Sequence, residues 1–472
     1  IIIIPSFYYK KYYLCTVVLL QKLWRMIRRL AINKLKEWRS SEDRKPLIIR
    51  GVRQVGKTTL VKEFAKDFDT FLYLNLERSR DSELFEQTDD VHQLLKSIYF
   101  YKKQEQIDGS VLLFIDEIQN SKKAVAILRY FYEEAKDIHV IVAGSLLETV
   151  MDVRKISFPV GRVQFMSLRP CSFWEFLDGI GEDFDRNLVT SFNVDSVVHH
   201  RVMQLFREYI LVGGMPAVIM QYAKRRDLLS CSSVFNSLLQ AYKDDVEKYT
   251  SSKTMVKVIR TIMDYGWQSA AETISFEGFG GTSYRSREMS EAFQIIAKAM
   301  LTELVYPTSD TQVPILPNFK KRPKLLWVDT GIVNYASKVQ NDVFSAKDIC
   351  DVWRGRIAEH IVAQELVAYD NDIALRHNYW RRDKEGSDAE VDFLYQFKSL
   401  VVPIEVKSGH NAKLKSLHLF MEKAPHAIAI RVWSNPYSVD NVTTSGGKQF
   451  KLVNVPFYYV GQIERILEKE LC

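Results

Sequence analysis

Nine consecutive residues, Gly51, Val52, Arg53, Gln54, Val55, Gly56, Lys57, Thr58 and Thr59, combine the groups needed to hold a polyphosphate. They follow the apolar run LIIR and precede an apolar stripe at helical spacing: Leu60, Val61, Phe64, Ala65 and Phe68. That strand–loop–helix context is the one in which a phosphate loop works. Gly51 and Gly56 permit a tight turn that points backbone N–H groups inward, and the helix N-terminus adds its dipole. Lys57 then meets the β- and γ-phosphates, and Thr58 gives its hydroxyl to Mg²⁺. The ligand implied is ATP, with Mg²⁺ as cofactor. Further along, VLLFIDE is an apolar strand ending in Asp116 and Glu117. Asp116 would hold Mg²⁺, directly or through water, and Glu117 would polarise an attacking water, so ATP hydrolysis is the expected activity. A strand running into a solvated acidic turn is the plain alternative. Ser145 follows the next strand as a γ-phosphate sensor or a turn former. Arg162, in PVGRV, either offsets transition-state charge on its own or a neighbouring subunit's nucleotide or is an ordinary surface arginine. Arg53, inside the loop, is a further candidate for that role.

A second set lies far downstream: Glu359, Asp392, Glu405 and Lys407. In PIEVKS, strand alternation puts Val402, Ile404 and Val406 on one face and Glu405 and Lys407 on the other. Asp392 ends the alternating EVD of the preceding strand. Both carboxylates can then share a metal ion, with Lys407 beside a scissile phosphate and Glu359 completing the site from the preceding helix. Such a centre generates hydroxide and stabilises a pentacovalent phosphate. These residues resemble the PD-(D/E)XK nuclease superfamily in order: a helical Glu, an Asp, then Glu-x-Lys. A Glu/Lys pair on a solvated strand face is the plain alternative, and Asp388 and Glu390 read as solvated acids.

Positioning the first set requires a buried sheet. FLYLNL, VLLFIDE, IHVIVAGS and VQFMSL are near-continuous apolar runs, separated by helical patterns such as Val91 to Tyr99 and Ala124 to Ala135. That alternation predicts a parallel sheet covered by helices. LRPCSFWEF reads as the exit from this domain. A mostly helical stretch follows, with two helices expected over Arg285 to Tyr306 and a small hairpin after them. The Gly-rich Ser275 to Arg287 reads as a connection. Beyond it, a helix (Trp353 to Tyr369), strands at ALRHNYW, AEVDFLY and LVVPIEVKS, a helix near Lys413 to Met421 and a strand at HAIAIRVW form a third pattern. The expected fold class is α/β, with four segments. Residues 1–25 are an extension, 26–170 a phosphate-loop domain, 171–340 a helical and winged-helix-like region, and 341–472 a restriction-endonuclease-like α/β domain.

The net charge of +7 is uneven: residues 1–50 carry 12 Lys/Arg against 3 Asp/Glu, which leaves −2 for the remainder. A basic surface built throughout for nucleic acid is therefore not implied. The five scattered cysteines have neither disulfide nor zinc spacing, which fits a reducing cytoplasm. His199 and His200 lack ligand-type neighbours and read as surface or core residues. The apolar run Tyr12 to Leu20 is too short to span a bilayer, so no stable membrane association is expected. The first 25 residues differ from the rest and read as an upstream extension before Met26.

Taken together, RKPLIIRGVRQVGKTTL, LLFIDEIQ, VAGSLLE, PVGRV, LRPCSFWEFL, YILVGGMPAVI, LLWVDTGI and AEVDFLY…PIEVKSG resemble a prokaryotic family of AAA-type ATPases with a C-terminal domain of unknown function. The resemblance covers nearly everything from Met26. It implies a cytosolic ATPase joined to a DNA-related or regulatory rear part. GGMP (Gly213 to Pro216) reads as a turn between helices. Three functions follow: an ATP-driven DNA-handling enzyme with nuclease activity, a nucleotide-controlled switch whose nuclease-like domain is inactive, or a DNA binder without cleavage. The candidate DNA contacts are KKRPK (Lys320 to Lys324), Arg376, Arg381 and Arg382, with Tyr379 and Trp380 stacking on bases. A homo-oligomer is the candidate assembly.

Overall fold

The computed structural model describes residues 26–144, 147, 157–346, 348, 350–351, 355–372, 374, 376–383, 388–407 and 414–471. The expected extension and Ser145 lie outside the described residues.

Strands β1 (Leu47–Arg50), β2 (Thr70–Asn75), β3 (Val111–Asp116), β4 (Ile138–Ala143) and β5 (Gln164–Ser167) form one sheet in the order β2-β3-β4-β1-β5. All its pairings are parallel. Period-2 alternation divides these strands between two cores. Leu47, Ile49, Leu112 and Phe114 pack with the helices Ala31–Arg39 and Lys57–Phe64 on one face. Ile48, Leu113 and Ile115 pack with Val91–Lys102 and Lys122–Glu134 on the other. Burial on both faces is why the strands read as unbroken apolar runs. Asp90 and Ser121 cap those two helices, Asp90 accepting from His92 N and Gln93 N and Ser121 from Ala124 N.

After β5 the chain passes through LRPCSFWEF with a reciprocal cap, in which Ser172 and Glu175 satisfy each other's backbone N–H groups at the start of the Phe173–Ile180 helix. Among the described residues a second eight-residue helix, Asp183–Thr190, and four longer ones follow: Ser196–Val212, Pro216–Arg225, Ser232–Tyr249 and Lys253–Tyr265. Strands β6 (Glu272–Thr273), β7 (Thr302–Val305) and β9 (Lys324–Trp327) form an antiparallel sheet in the order β6-β9-β7. The two helices expected over Arg285 to Tyr306 are corrected. One helix, Ser286–Lys298, ends there, Met300 turns the chain at φ 60°, and TELV becomes β7, pairing with β9. The Gly-rich stretch carries a short 3-10 turn, Phe279–Gly281, whose Phe279 is buried in the core.

Among the described residues the rear sheet has seven strands: β8 (Pro307–Thr308), β10 (Asn378–Arg381), β11 (Glu390–Phe397), β12 (Leu400–Val406), β13 (Ile428–Trp433), β14 (Ser438–Thr443) and β15 (Gln449–Pro456). Their order is β14-β15-β13-β12-β11-β10-β8. β10, β11 and β12 run antiparallel, and β12, β13 and β15 run parallel. The Arg356–Ala368 helix precedes them, and Lys415–Lys423 connects β12 to β13.

GGMP forms the expected turn, and its glycines have a specific reason. Gly213 sits at φ +77°, and an added Cβ would meet Asp329 Oδ1 at 2.2 Å. Asp329, fully buried, accepts from Gly214 N at 2.6 Å and Ile332 N at 2.9 Å. The GGMP and WVDTG segments thus lock together through one carboxylate. His199 is a packing residue, bonded to the Tyr458 hydroxyl at 2.8 Å and the Ser434 carbonyl at 2.9 Å. Among the described residues no helix is long and apolar enough to cross a membrane.

Candidate nucleotide site and a second carboxylate cluster

Register brings the first set together. Ala143 of β4 is level with both Ile49 of β1 and Asp116 of β3, so the phosphate loop and the acidic pair emerge at the same edge. Thr58 Oγ1 donates to Asp116 Oδ2 at 2.7 Å, joining a hydroxyl and a carboxylate in the oxygen set that Mg²⁺ prefers. Both groups fit that ion. Lys57 is buried, and its Nζ donates to the loop carbonyls of Gly51 (2.7 Å) and Val52 (3.2 Å). Burial pushes its pKa down to about 8, against the pull of Glu117 and Asp116. Burial likewise lifts the Asp116 carboxyl, while its bond to Thr58 pulls it down. Burial is the largest cause of both shifts, so the two groups are desolvated together.

Backbone strain gathers here. Gln54 inside the loop and Glu117 after β3 are non-glycine residues at φ 66° and 54°. Gly56 takes φ +99°, as the tight turn requires. Gly51 is a glycine for a different reason than the turn, because a Cβ would lie 2.5 Å from the Leu168 carbonyl oxygen at the exit of β5. Glu117 accepts from Gln119 Nε2 at 2.5 Å, which orients its carboxylate beside Asp116.

Two arginines tie the loop to the helical region. Arg53 Nη1 donates to Asp245 at 2.6 and 2.8 Å, and Tyr242 on the same Ser232–Tyr249 helix donates to the Arg53 carbonyl at 3.3 Å. The hydrogen bond to Asp245 is the chief cause raising the Arg53 pKa. Arg53 is therefore clasped to the helical region in this structure. Arg29, which sequence reasoning missed, bonds the Val55 carbonyl (2.8 Å), the Arg169 carbonyl (2.6 Å) and Glu175 Oε1 (3.1 Å). Its one legible signal was the excess of basic residues before the loop. Val52, Val55 and Gly51 are buried, while Thr59 faces outward. Arg162 pairs with Glu133 at 2.8 Å at the end of the Lys122–Glu134 helix, where the chain enters β4. That is the opposite edge of the sheet from Thr58 and Asp116, so Arg162 does not reach its own chain's nucleotide.

The downstream set also converges, with an unforeseen member. Lys324 of β9, only 5% exposed at its side chain, reaches Glu359 Oε2 at 3.0 Å and Glu390 Oε1 at 2.9 Å. Burial opposes its charge, yet the facing carboxylates of Glu359, Glu390 and Asp392 outweigh that and raise its pKa. Asp392 accepts from Val406 N at 2.7 Å; burial, then Glu359 and Glu405, push its carboxyl well above the usual range. Glu405 is buried and bound through Oε1 to Lys407 Nζ at 2.6 Å, and its Oε2 has no partner. Three corrections follow. The face of β12 carrying Glu405 is not solvated, because residues 401–406 are all buried. Glu390 is an ion-pair partner, not a solvated acid. Among the described residues, no group of three or more His, Cys, Asp or Glu side chains is arranged to hold a metal ion. Of the expected centre, Glu359 is paired with the Lys324 ammonium and Glu405 with that of Lys407 in this conformation.

The DNA contacts are corrected as well. Tyr379 and Trp380 are fully buried and present no face to a base. Lys324 is engaged as described, and Lys321 lies 3.8 Å from Asp383. Arg376 is exposed, and Arg381 and Arg382 are half-buried.

A five-stranded parallel sheet, a glycine-bracketed loop after β1 and an acidic pair after β3 define a P-loop nucleotide-binding domain of the AAA type. Residues 43–177 match the AAA domain family, residues 203–343 a domain of unknown function (DUF8612), and residues 354–456 another (DUF4143). No curated protein matches the chain. Among solved structures it is similar in part to the Thermotoga maritima RuvB Holliday junction branch migration motor, with 15% identity over 64% of this chain and 97% of that one, at a TM-score of 0.29. It is also similar in part to the Aeropyrum pernix ORC1 protein in complex with DNA, at 12% identity, 65% and 91% coverage and a TM-score of 0.25. For C. elegans PCH-2 the values are 14%, 45%, 66% and 0.24.

Proposed function

We infer that the protein is a Mg²⁺-dependent ATPase whose nucleotide state is passed to its rear half. The observation that carries this reading is the Thr58–Asp116 contact beside the buried Lys57, at one edge of a parallel sheet. In turnover, Thr58 and Asp116 would hold the metal, which neutralises phosphate charge. Lys57 would exchange its loop carbonyls for phosphate oxygens, and Glu117 would take the proton of the attacking water. The clasp between Arg53 and Asp245 supports a direct link from loop to helical region.

The C-terminal unit has the order helix, three antiparallel strands, helix, parallel strand, which supports the PD-(D/E)XK nuclease-like reading. The helices and three-stranded sheet before it support the winged-helix-like reading, with DNA as candidate partner. Lys324 favours the second reading of the rear half, a switch whose nuclease-like site is silent while that ammonium stays in place.

The test compares full-length wild type with Lys57→Ala and Glu117→Gln. Lys57→Ala is expected to lose ATP affinity. Glu117→Gln keeps affinity and loses about 10²–10⁴ in turnover. Wild-type hydrolysis rates in both variants would refute the assignment. Supercoiled plasmid with Mg²⁺ or Mn²⁺ belongs in the same assay, since nicking that disappears in Lys407→Ala would restore the active-nuclease reading.

A further inference from the structure

A partly enclosed cavity of ≈460 Å³ lies where all three units meet, and the ATPase chemistry does not use it. The first unit lines it with Arg50, Val52 and Arg169, the middle with Lys298, Thr302 and Tyr306, and the rear with Arg376 and His377. Lys57, Thr58, Asp116 and Glu117 are not part of its wall. Its volume falls within the ~300–1,000 Å³ of small-molecule sites.

The wall is cationic. Arg50, Arg169, Lys298 and Arg376 contribute four positive groups, against one lining carboxylate, Glu303. Glu303 is already engaged, with Oε2 2.8 Å from His377 Nδ1 and Oε1 accepting from His377 N at 2.7 Å. Two polar atoms in the wall are buried and unpartnered: Arg169 Nε and Thr302 Oγ1, the latter on a residue only 7% exposed. A buried donor left without an acceptor is costly, and an anion drawn into this cavity would offer one. Burial also lowers the Arg169 pKa, the mark of a cation desolvated beyond what its neighbours offset. Guanidinium groups match phosphate oxygens in pairs.

The cavity also has an aromatic side. Tyr306 and Phe319 line it with ring centroids 4.9 Å apart, and Phe319 is 73% exposed. An exposed phenylalanine next to a cationic pocket offers a stacking face to a planar ligand.

We propose that this junction cavity is a second ligand site, which takes a nucleoside phosphate with its phosphate on Arg169 and Thr302 and its base against Tyr306 and Phe319. Because Arg50 and Val52 sit at the end of β1 and in the phosphate loop, a ligand here would touch the ATPase loop from outside its own nucleotide pocket.

Titration calorimetry on the full chain carrying Lys57→Ala tests this, because that background removes the loop site. The titrants are the four nucleoside 5′-monophosphates, inorganic phosphate, the unphosphorylated nucleosides and a 5′-phosphorylated oligonucleotide. At least one monophosphate is expected to bind one-to-one, about tenfold or more tighter than inorganic phosphate or the nucleoside. Arg169→Gln is expected to weaken it at least about tenfold. The rim variant Lys298→Gln/Arg376→Gln, exposed at both positions, is expected to weaken it as well, and Phe319→Ala to erase the preference over phosphate. Four results overturn the proposal: no monophosphate bound, equal affinity for inorganic phosphate, indifference to both the Arg169 and rim variants, or binding of the oligonucleotide alone. ATP binding unchanged between wild type and Lys57→Ala would count against the ATPase site instead, so the two failures are distinguishable.

Discussion

Replacing Lys324 with methionine is the sharpest test of the rear cluster. Methionine keeps the length of the buried stem and removes the ammonium that binds Glu359 at 3.0 Å and Glu390 at 2.9 Å. Breaking a buried ion pair from one side costs about 3–5 kcal/mol. Proton uptake recovers part of that at about 1.4 kcal/mol per pKa unit, so a net loss of about 2–4 kcal/mol is expected at pH 8. The sign with pH follows from the carboxyls. Asp392 and Glu405 already sit above their ordinary values through burial, and losing Lys324 raises them further. An acid whose folded pKa exceeds its unfolded value destabilises the fold as pH climbs past the unfolded value. The deficit should therefore be small near pH 5 and full by pH 8. Mn²⁺ should then do what the ammonium did. At a hundred times its Kd it would return about 2.7 kcal/mol to the variant and little to wild type, where Lys324 already holds Glu359 Oε2. Urea unfolding of the full chain at both pH values, with and without Mn²⁺, reads all of this, and electron paramagnetic resonance counts the bound ion directly. A deficit equal at both pH values and unmoved by Mn²⁺ would show that Lys324 contributes only its stem, and the competition argument would fail.

Three other outcomes follow from the geometry. Asp245→Asn frees Arg53, whose side chain is 37% exposed, and Lys248, 53% exposed, so water screens much of the loss and about 1 kcal/mol is expected. The telling readout is hydrogen exchange at residues 51–56, which should quicken; unchanged protection would mean the clasp does not restrain the loop. Gly213→Ala forces a methyl 2.2 Å from Asp329 Oδ1 at φ +77° and should cost about 2–4 kcal/mol in thermal unfolding, whereas a neutral result would contradict the locked turn. Glu365 is buried and its pKa is pushed up to about 7 by desolvation, so it destabilises the fold as pH rises from about 4.5 to 7. Its Oε1 takes both bonds, from Phe173 N at 2.9 Å and Tyr209 Oη at 2.7 Å, which glutamine can retain. Glu365→Gln should thus gain stability on the order of 2–3 kcal/mol at pH 8 and nothing near pH 4; a pH-independent change would remove the charge as its cause.

The front of the molecule was legible because its signals are local. A strand buried on both faces writes an unbroken apolar run, and the phosphate loop keeps its glycines, lysine and threonine in one stretch. Sequence reasoning stumbled where meaning depends on contacts between distant residues. Arg53 reads as a catalytic candidate until Asp245 is brought beside it, and Lys324 reads as a DNA contact until Glu359 and Glu390 enclose it. Tyr379 and Trp380 follow basic residues in the chain, yet β10 buries both. TELV reads as part of a helical pattern because four residues hold too little period to tell strand from helix. The polar SVDNVT of β14 carries no strand signal for a related reason: this edge strand has no apolar face to announce it.

Strand β8 has a consequence beyond its two residues. It comes from the middle of the chain yet completes the edge of the rear sheet by pairing with β10, through Pro307 beside Tyr379 and Thr308 beside Trp380. Excising the last third of the protein as a separate fragment would strip that cover and leave a bare row of amide groups along β10, an invitation to sticky self-association. A workable dissection has to cut ahead of residue 307, so that the borrowed strand travels with the sheet it seals.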